Sequence, residues 1–424
     1  LLKLVIREGL IKTNPKNFLS KVLSVSLKRE SSDFGEGYWS DHWTYNLDLI
    51  QSYLSLYPEK LKDILIDKKE FTFHLSDTYV LPRSKRYIQT PAGVRQYHSL
   101  AEHDKDVKAK EKGHLLRVKL GEGEVYYTNM LVKILTLLAN KTASLDPSGI
   151  GVEMEANKPN WYDALNGLPG LLGSSISEAF EIKRWAIFVK EGISHLKIFE
   201  TDKLDVFEEL ADFLYGLTHL LSAEKDSLKF WQKSNDLKEL YRQHIRHGIT
   251  GHQKTLSIAD INKFLDAIIA KVDTGFGKAK YDNGLFATYF YHEVTQFDVL
   301  DKGHQGEHHV MPLKFQRHDL PLFLEGFVHA MRVLDSRQSV ELFRAIKKSP
   351  IYDKKLGMYK VNADLSKQTQ EIGRTSVFPA GWLENESVWL HMEYKYLLEL
   401  LRNGLVNEFY EEIKTSLIPF MDPA

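Results

Sequence analysis

Cysteine is absent from the 424 residues, which removes disulfides, thiolate metal sites and thiol nucleophiles together. The same lack suits a compartment that never becomes oxidising. No apolar run approaches the ~20 residues that a bilayer-spanning helix needs. The opening Leu1-Leu2-Lys3-Leu4-Val5-Ile6-Arg7 has neither a basic n-region nor a small-residue cleavage site. A cytoplasmic protein with no membrane partner is expected. An excess of one charge is missing too: Lys+Arg total 56 and Asp+Glu 57, so no overall field favours a polyanion, and nucleic acid is not an expected partner. Neither a fixed repeat period nor a Pro/Ser/Gly-rich linker is present, which argues against an ordinary solenoid. Residues 1–424 read as one domain, expected to be a fragment of a longer chain.

What the chain has is apolar mass, 43 % hydrophobic and 12 % aromatic, enough for a sizeable core. Much of it recurs every three to four residues, the spacing of an amphipathic helix. Trp43, Leu47, Ile50 and Leu54 share one face until Pro58 stops the segment. Met130, Ile134, Leu137 and Leu138 form a second stripe, and residues 202–222 carry a third through Val206, Leu210, Phe213, Leu214, Leu217 and Leu221. Ser257 and Asp260 have the spacing of a capping box, followed by Ile261, Phe264, Leu265, Ile268 and Ile269. Further helices are predicted over residues 174–190, 320–334, 339–348 and 387–402, the last stopped by Asn403-Gly404. Strand signals are few: 72–80, 115–120, and Tyr281 to Phe286, where Asn283-Gly284 favours a tight turn. Long helices joined by rich loops predict an all-α protein: a solenoid, a bundle or a closed helical toroid.

Five of the seven tryptophans fall in three short loop-like segments. The first runs from Gly35 to Trp43 and contains Tyr38, Trp39, Ser40 and Asp41. The second runs from Asn157 to Gly170 and contains Trp161, Tyr162, Asp163 and Asn166. The third, Pro379 to His391, contains Trp382, Glu384, Asn385, Glu386 and Trp389. Each mixes aromatics and glycines with carboxylates, amides or histidine. A sugar ring offers apolar C–H faces and a rim of hydroxyls, so its site needs aromatic platforms beside carboxylates and amides. Trp39, Asp41, Trp161, Asn166, Trp382 and His391 are the candidate substrate-binding residues. The competing reading makes these tryptophans turn anchors and their polar neighbours caps.

Cleaving a glycosidic bond with inversion needs a protonated carboxyl to release the leaving oxygen, and either a base for water or phosphate itself as nucleophile. Asp163 follows two aromatics that could exclude water and favour the protonated form. Glu384 and Glu386 precede a predicted helix, whose dipole favours the ionised form. Asp163 is therefore the candidate acid, with Glu384 and Glu386 as the other catalytic candidates; an N-cap role for Asp163 is the alternative.

These segments resemble the cellobiose phosphorylase family of inverting disaccharide phosphorylases. Its proton donor lies in a Trp-Asn-Asp-Gly-Met type motif, which compares with Trp161-Tyr162-Asp163-Ala164-Leu165. Its Glu-Asn-Gly-x-x-x-x-His loop compares with Glu384-Asn385-Glu386-Ser387-Val388-Trp389-Leu390-His391, and its Gly-Tyr-Arg-Asp motif with Gly37-Tyr38-Trp39-Ser40-Asp41. The resemblance implies an (α/α)6 toroid with short hairpins in its loops and a phosphate-holding role for His391. It implies a disaccharide or oligosaccharide substrate and inorganic phosphate as co-substrate. Two departures matter. Trp39 and Ser40 stand where the family has Arg, and Glu386 replaces a glycine in the phosphate loop, where its charge would repel phosphate. Water and phosphate both stay open as acceptors.

No other cofactor and no metal is expected. His304-Gln305-Gly306-Glu307-His308-His309 matches no zinc spacing and reads as a polar loop. Arg242, His244, Arg246 and His247 read as a helix end, and Gly121-Glu122-Gly123 lacks the rest of a nucleotide loop. A second copy of the chain is kept as a candidate partner. Two other functions compete: a non-catalytic carbohydrate-binding or scaffolding toroid, and a helical-repeat interaction protein with an extended concave surface.

Overall fold

The computed structural model describes residues 14–25, 42–76, 78–97, 99–102, 114–155, 162–302 and 308–417. The longer helices are α1 Pro15–Val25, α2 His42–Leu56, α3 Met130–Thr142, α4 Ile176–His195, α5 Glu208–Ala223 and α6 Ser227–His244. They continue with α7 Ile258–Ala279, α8 Leu324–Met331, α9 Ser336–Ile346, α10 Leu390–Arg402 and α11 Val406–Ser416. Most of the apolar stripes bury as their spacing requires, but Val206, expected on the third helix, lies in a strand, Lys203–Phe207, because the helix begins only at Glu208. Leu210, Phe213, Leu214, Leu217 and Leu221 of α5 are buried, and so are Ile261, Phe264, Leu265 and Ile268 of α7. The Ser257–Asp260 capping box forms in full, and Asn129 caps α3 by accepting the Val132 N–H at 3.0 Å.

The expected all-α (α/α)6 toroid is not what the chain forms. The fold is mixed α/β, 52 % helical and 20 % strand, around a six-stranded, curled antiparallel sheet that makes a half-barrel. Six of the strands are β1 Thr78–Val80, β2 Tyr87–Thr90, β3 Gly93–Gln96, β4 Leu100–Glu102, β5 Val152–Glu153 and β6 Gly173–Ser175. They are followed by β7 Lys203–Phe207, β8 Gln253–Ser257, β9 Tyr289–Lys302 and β10 His308–Asp319. The sheet order is β3-β2-β10-β9-β6-β5. Its long members are β9 and β10, paired antiparallel from His308↔Lys302 to Asp319↔Phe290 with register shifts around Pro312 and Lys314. Proline has no N–H to give the ladder, so a bulge there is expected.

The physical reason for the difference lies in β9 and β10 themselves. Tyr289, Phe290, Tyr291, Val294, Thr295, Phe297 and Val299 are aromatic or β-branched and favour a pleated surface. They are interleaved with Glu, Gln, Asp and His on a half-exposed sheet, so the segment never shows a clean apolar alternation. Of the three strand segments expected, residues 72–80 yield β1 and the His74↔Leu115 bridge, and 115–120 yields bridges at Leu115 and Arg117 before a 3-10 turn, Lys119–Gly121. Tyr281–Phe286 makes a turn closed by the Lys280↔Phe286 bridge, with Gly284 at φ +83°.

One hydrophobic cluster runs through the helices from Trp43 to Leu405. A second, around Tyr162, Leu168, Tyr289 and Phe323, joins the β5–β6 connection to the segment before α10. At the centre of the helical layer sits a buried ionic network. Glu181 on α4 meets His329 Nδ1 of α8 at 2.6 Å; it also accepts hydrogen bonds from Arg184 and Arg332, each at 3.2 Å. Arg184 reaches Asp48 of α2 at 2.5 Å, and Arg332 reaches Glu399 of α10 at 3.2 Å. Burial alone would raise the Glu181 carboxyl. The His329 hydrogen bond and charge, then Arg184 and Arg332, outweigh burial and bring it down to about 2.

A carboxyl depressed in the folded state stabilises fully above its ordinary value of 4.5, and that stabilisation is lost as the pH falls towards 2. Urea titrations across this window should show a loss of about 3 kcal/mol. In Glu181→Gln this part of the pH dependence should disappear. A wild-type stability that stays flat below pH 4.5 would contradict the assignment.

Candidate functional site

A cavity of about 970 Å³ opens among α2, α3, the start of α4 and the strand leading out of β5. Trp43 and Tyr45 of α2, Phe73 and Trp185 are its aromatic lining, and Asn46, Asn140, Glu153, Glu155, Glu178, Lys141 and Arg242 are among its polar lining. Helical spacing accounts for the α2 contribution. Trp43 and Leu47 are buried towards the core, whereas Tyr45 and Leu49 on the other flank stay exposed. Trp43 is held in place by Trp185, whose indole N–H donates to the Trp43 carbonyl at 3.2 Å.

Two of the lining carboxylates, Glu153 and Glu155, stand two residues apart at β5, the spacing that puts side chains on one face of a strand. Glu153 accepts the Trp231 indole N–H at 2.7 Å and the Tyr87 hydroxyl at 3.3 Å. Glu155 accepts from Arg242 at 2.7 Å and from Arg86 at 3.4 Å. Behind them Lys238 donates to the Ser144 hydroxyl at 2.9 Å. Burial, helped by the Arg242 charge and opposed by Glu155, lowers the Lys238 ammonium to about 7. Also in the lining, Lys141 pairs with Glu178 at 2.5 Å, and its ammonium lies 5.1 Å from the centre of the Trp43 ring.

Trp39, Asp41 and Trp161 lie outside the described residues. Asp163 opens a single 3-10 turn, Asp163–Leu165, and its side chain lies outside the description. The structure does bring the second and third segments together. Glu384 is buried and accepts the Ala164 N–H at 2.5 Å, and Gly167 N–H donates to the Ile372 carbonyl at 3.0 Å. A side chain on Gly167 would strike the Glu371 carbonyl, and one on Gly373 the Ala164 carbonyl. Only glycine permits that approach.

Glu386 is in the left-handed region at φ +55° and pairs with Lys360 at 2.5 Å. Asn385 and Asn362 clamp this stretch: Asn385 accepts the Leu365 N–H at 3.0 Å and donates to the Phe378 carbonyl at 2.7 Å, while Asn362 bonds the Glu384 carbonyl and the Glu386 N–H. Trp382 is 55 % exposed and meets Phe378 edge-on. Asn166 is exposed near Gly373. His391 is exposed in the first turn of α10, 5.6 Å from the Trp389 ring, and is lowered by partial burial and by Lys395, against Glu325. Glu384, Glu386, Asn166, Trp382 and His391 are not part of the cavity lining.

Tyr45 connects the two regions. It lines the cavity, bonds Lys395 of α10 at 2.8 Å, and is one of the groups, after burial, Glu325 and Glu384, that raise the Tyr162 phenol. The cavity lining also abuts two of the tryptophan segments along the chain, since His42 follows Asp41 and Glu155 precedes residue 156. Sequence reading passed over Glu153, Glu155 and Glu178. The two-residue spacing of the first pair and the place of Glu178 just after Gly173-Ser174-Ser175 are the signals that could have found them. Residues 303–307 of the histidine-rich stretch lie outside the described residues; His308 and His309 open β10, and His309 pairs with Asp301 at 2.6 Å. Among the described residues no group of three His, Asp or Glu side chains could hold a metal ion, and no helix is long and apolar enough to cross a membrane. No protein-family model and no curated protein matches the chain.

Glu384→Ala should destabilise the protein by about 1–3 kcal/mol, because the buried Ala164 N–H loses its acceptor. Glu384→Gln keeps a carbonyl oxygen in place and should cost much less. Urea denaturation of the two variants decides, and equal losses would rule out the capping role.

Proposed function

We propose that the protein is a carbohydrate-active enzyme that breaks a glycosidic bond with inversion, using the cavity as its glycan site and Asp163 as its proton donor. The observation that carries this reading is the cavity's composition: four aromatic side chains among carboxylates and amides, the pairing that sugar faces and hydroxyl rims require. Its volume sits near the upper end of the ~300–1,000 Å³ usual for ligand sites, room for a disaccharide or short oligosaccharide. The resemblance of Trp161-Tyr162-Asp163 to a proton-donor motif supports the choice of acid.

In this reading Asp163 gives its proton to the leaving oxygen as the bond to the anomeric carbon breaks. Water or phosphate attacks that carbon from the opposite face. Glu384 holds the turn that carries Asp163, and Glu386 is neutralised by Lys360. Lacking cysteine, the protein suits a reducing cytoplasm.

A panel of α- and β-linked disaccharides, assayed with and without phosphate, should reveal turnover and identify the acceptor. Asp163→Asn should reduce turnover of natural disaccharides by about 10²–10⁴-fold, with the fold intact. Aryl glycosides, whose leaving groups need little protonation, should be partly spared. A folded variant with undiminished turnover would remove Asp163 as the acid, and sugar binding without any turnover would point to a binding module.

A further inference from the structure

An inverting hydrolase needs a second carboxylate with an oxygen free to take a proton from water. Three glutamates line the cavity: Glu153, Glu155 and Glu178. Glu153 has one oxygen on Trp231 and the other on Tyr87. Both oxygens of Glu155 accept from Arg242, one of them from Arg86 as well. Glu178 differs. Its Oε2 takes the Lys141 ammonium at 2.5 Å, and among the described residues its Oε1 has no protein donor. Glu178 is partly accessible, 13 % of its side-chain surface, and it stands in the first turn of α4, a twenty-residue helix rooted in the core. A side chain on such an element is held more firmly than one on a loop.

We propose that Glu178 is the general base of this site and that water is its acceptor, an inference that rests on the glycosidic reading above. The step balances as follows. A water O–H gives its proton to Glu178 Oε1, and the water oxygen bonds to the anomeric carbon from the face opposite the leaving oxygen. The bond to that oxygen breaks with its electron pair, and the oxygen takes the proton of Asp163. Lys141 holds Glu178 in place through the other carboxylate oxygen. Trp43, under the Lys141 ammonium, closes the apolar side of the same corner.

The test uses the whole chain, the disaccharide panel and the matching 4-nitrophenyl glycosides, each with and without phosphate. Glu178→Gln should lose about 10²–10⁴-fold in turnover on both substrate types, because activating water is needed whatever the leaving group. Asp163→Asn should spare the aryl glycosides, so leaving-group dependence separates base from acid. Thermal melting should be unchanged in Glu178→Gln. If Glu178→Gln fails to fold, Glu178→Asp takes its place: a folded variant with strongly reduced turnover supports the base, and one with full turnover overturns it. Turnover that requires phosphate and ignores Glu178→Gln would overturn this inference and leave the glycosidic reading standing. No turnover of any panel member would overturn both.

Discussion

Glu181 is the charge on which the helical layer depends. Only 1 % of its surface is exposed, and an isolated carboxylate there would be far too costly. It is tolerated because His329, Arg184 and Arg332 converge on it, and those cations are in turn met by Asp48, Gln51 and Glu399. The partners come from α2, α8, α10 and Glu181's own α4, so the network can be completed only when these helices stand in one arrangement. Breaking a buried pair leaves an uncompensated charge, typically ~3–5 kcal/mol. The network therefore specifies which helices meet, while the apolar stripes supply the general drive to bury them. Its reach extends towards the site: Glu325, beside His329, also takes the Tyr289 hydroxyl.

With the helices placed, the sheet decides where the loops go. β5 and β6 are antiparallel neighbours at one edge, and residues 162–172 form the stretch that leads into β6. There it is gripped by a stretch some two hundred residues further on, through Glu384 on Ala164 and through the glycine contacts of Gly167 and Gly373. Gln96 of β3 adds a third grip, donating to the carbonyls of Met154 and Pro169 at 2.9 and 3.1 Å. The stretch that leads into β6 is thereby held from three sides.

Two carboxylates of the cavity wall and two of the 379–391 segment hold structure. Glu153, Glu155, Glu384 and Glu386 have cations, indole, hydroxyl or main-chain N–H groups on their oxygens. Such groups keep the cavity wall and its loops in register. What each of these glutamates holds is set by the partners of its two oxygens and not by its residue type.

A helix that buries a clear stripe is legible in the sequence, because burial leaves its period in the residues themselves: Leu210 to Leu221 and Ile261 to Ile268 need no partner to be read, whereas the polar helices Ser227–His244 and Val406–Ser416 are not predicted. The Ser257–Asp260 cap is equally local. The long β9–β10 pair is not legible, since its exposed face carries charge and its partner strand supplies half the pattern. Much the same holds for the site. The sequence by itself determined that aromatics, glycines and acids gather in short segments, that no thiol or disulfide chemistry is available, and that the stripes must bury. Only the tertiary structure decided that Glu384 meets Ala164, that Tyr45 joins the cavity wall to α10, and that Glu178 pairs with Lys141. Those outcomes depend on hydrogen-bond partners from distant parts of the chain, and a partner hundreds of residues away leaves no mark on local composition.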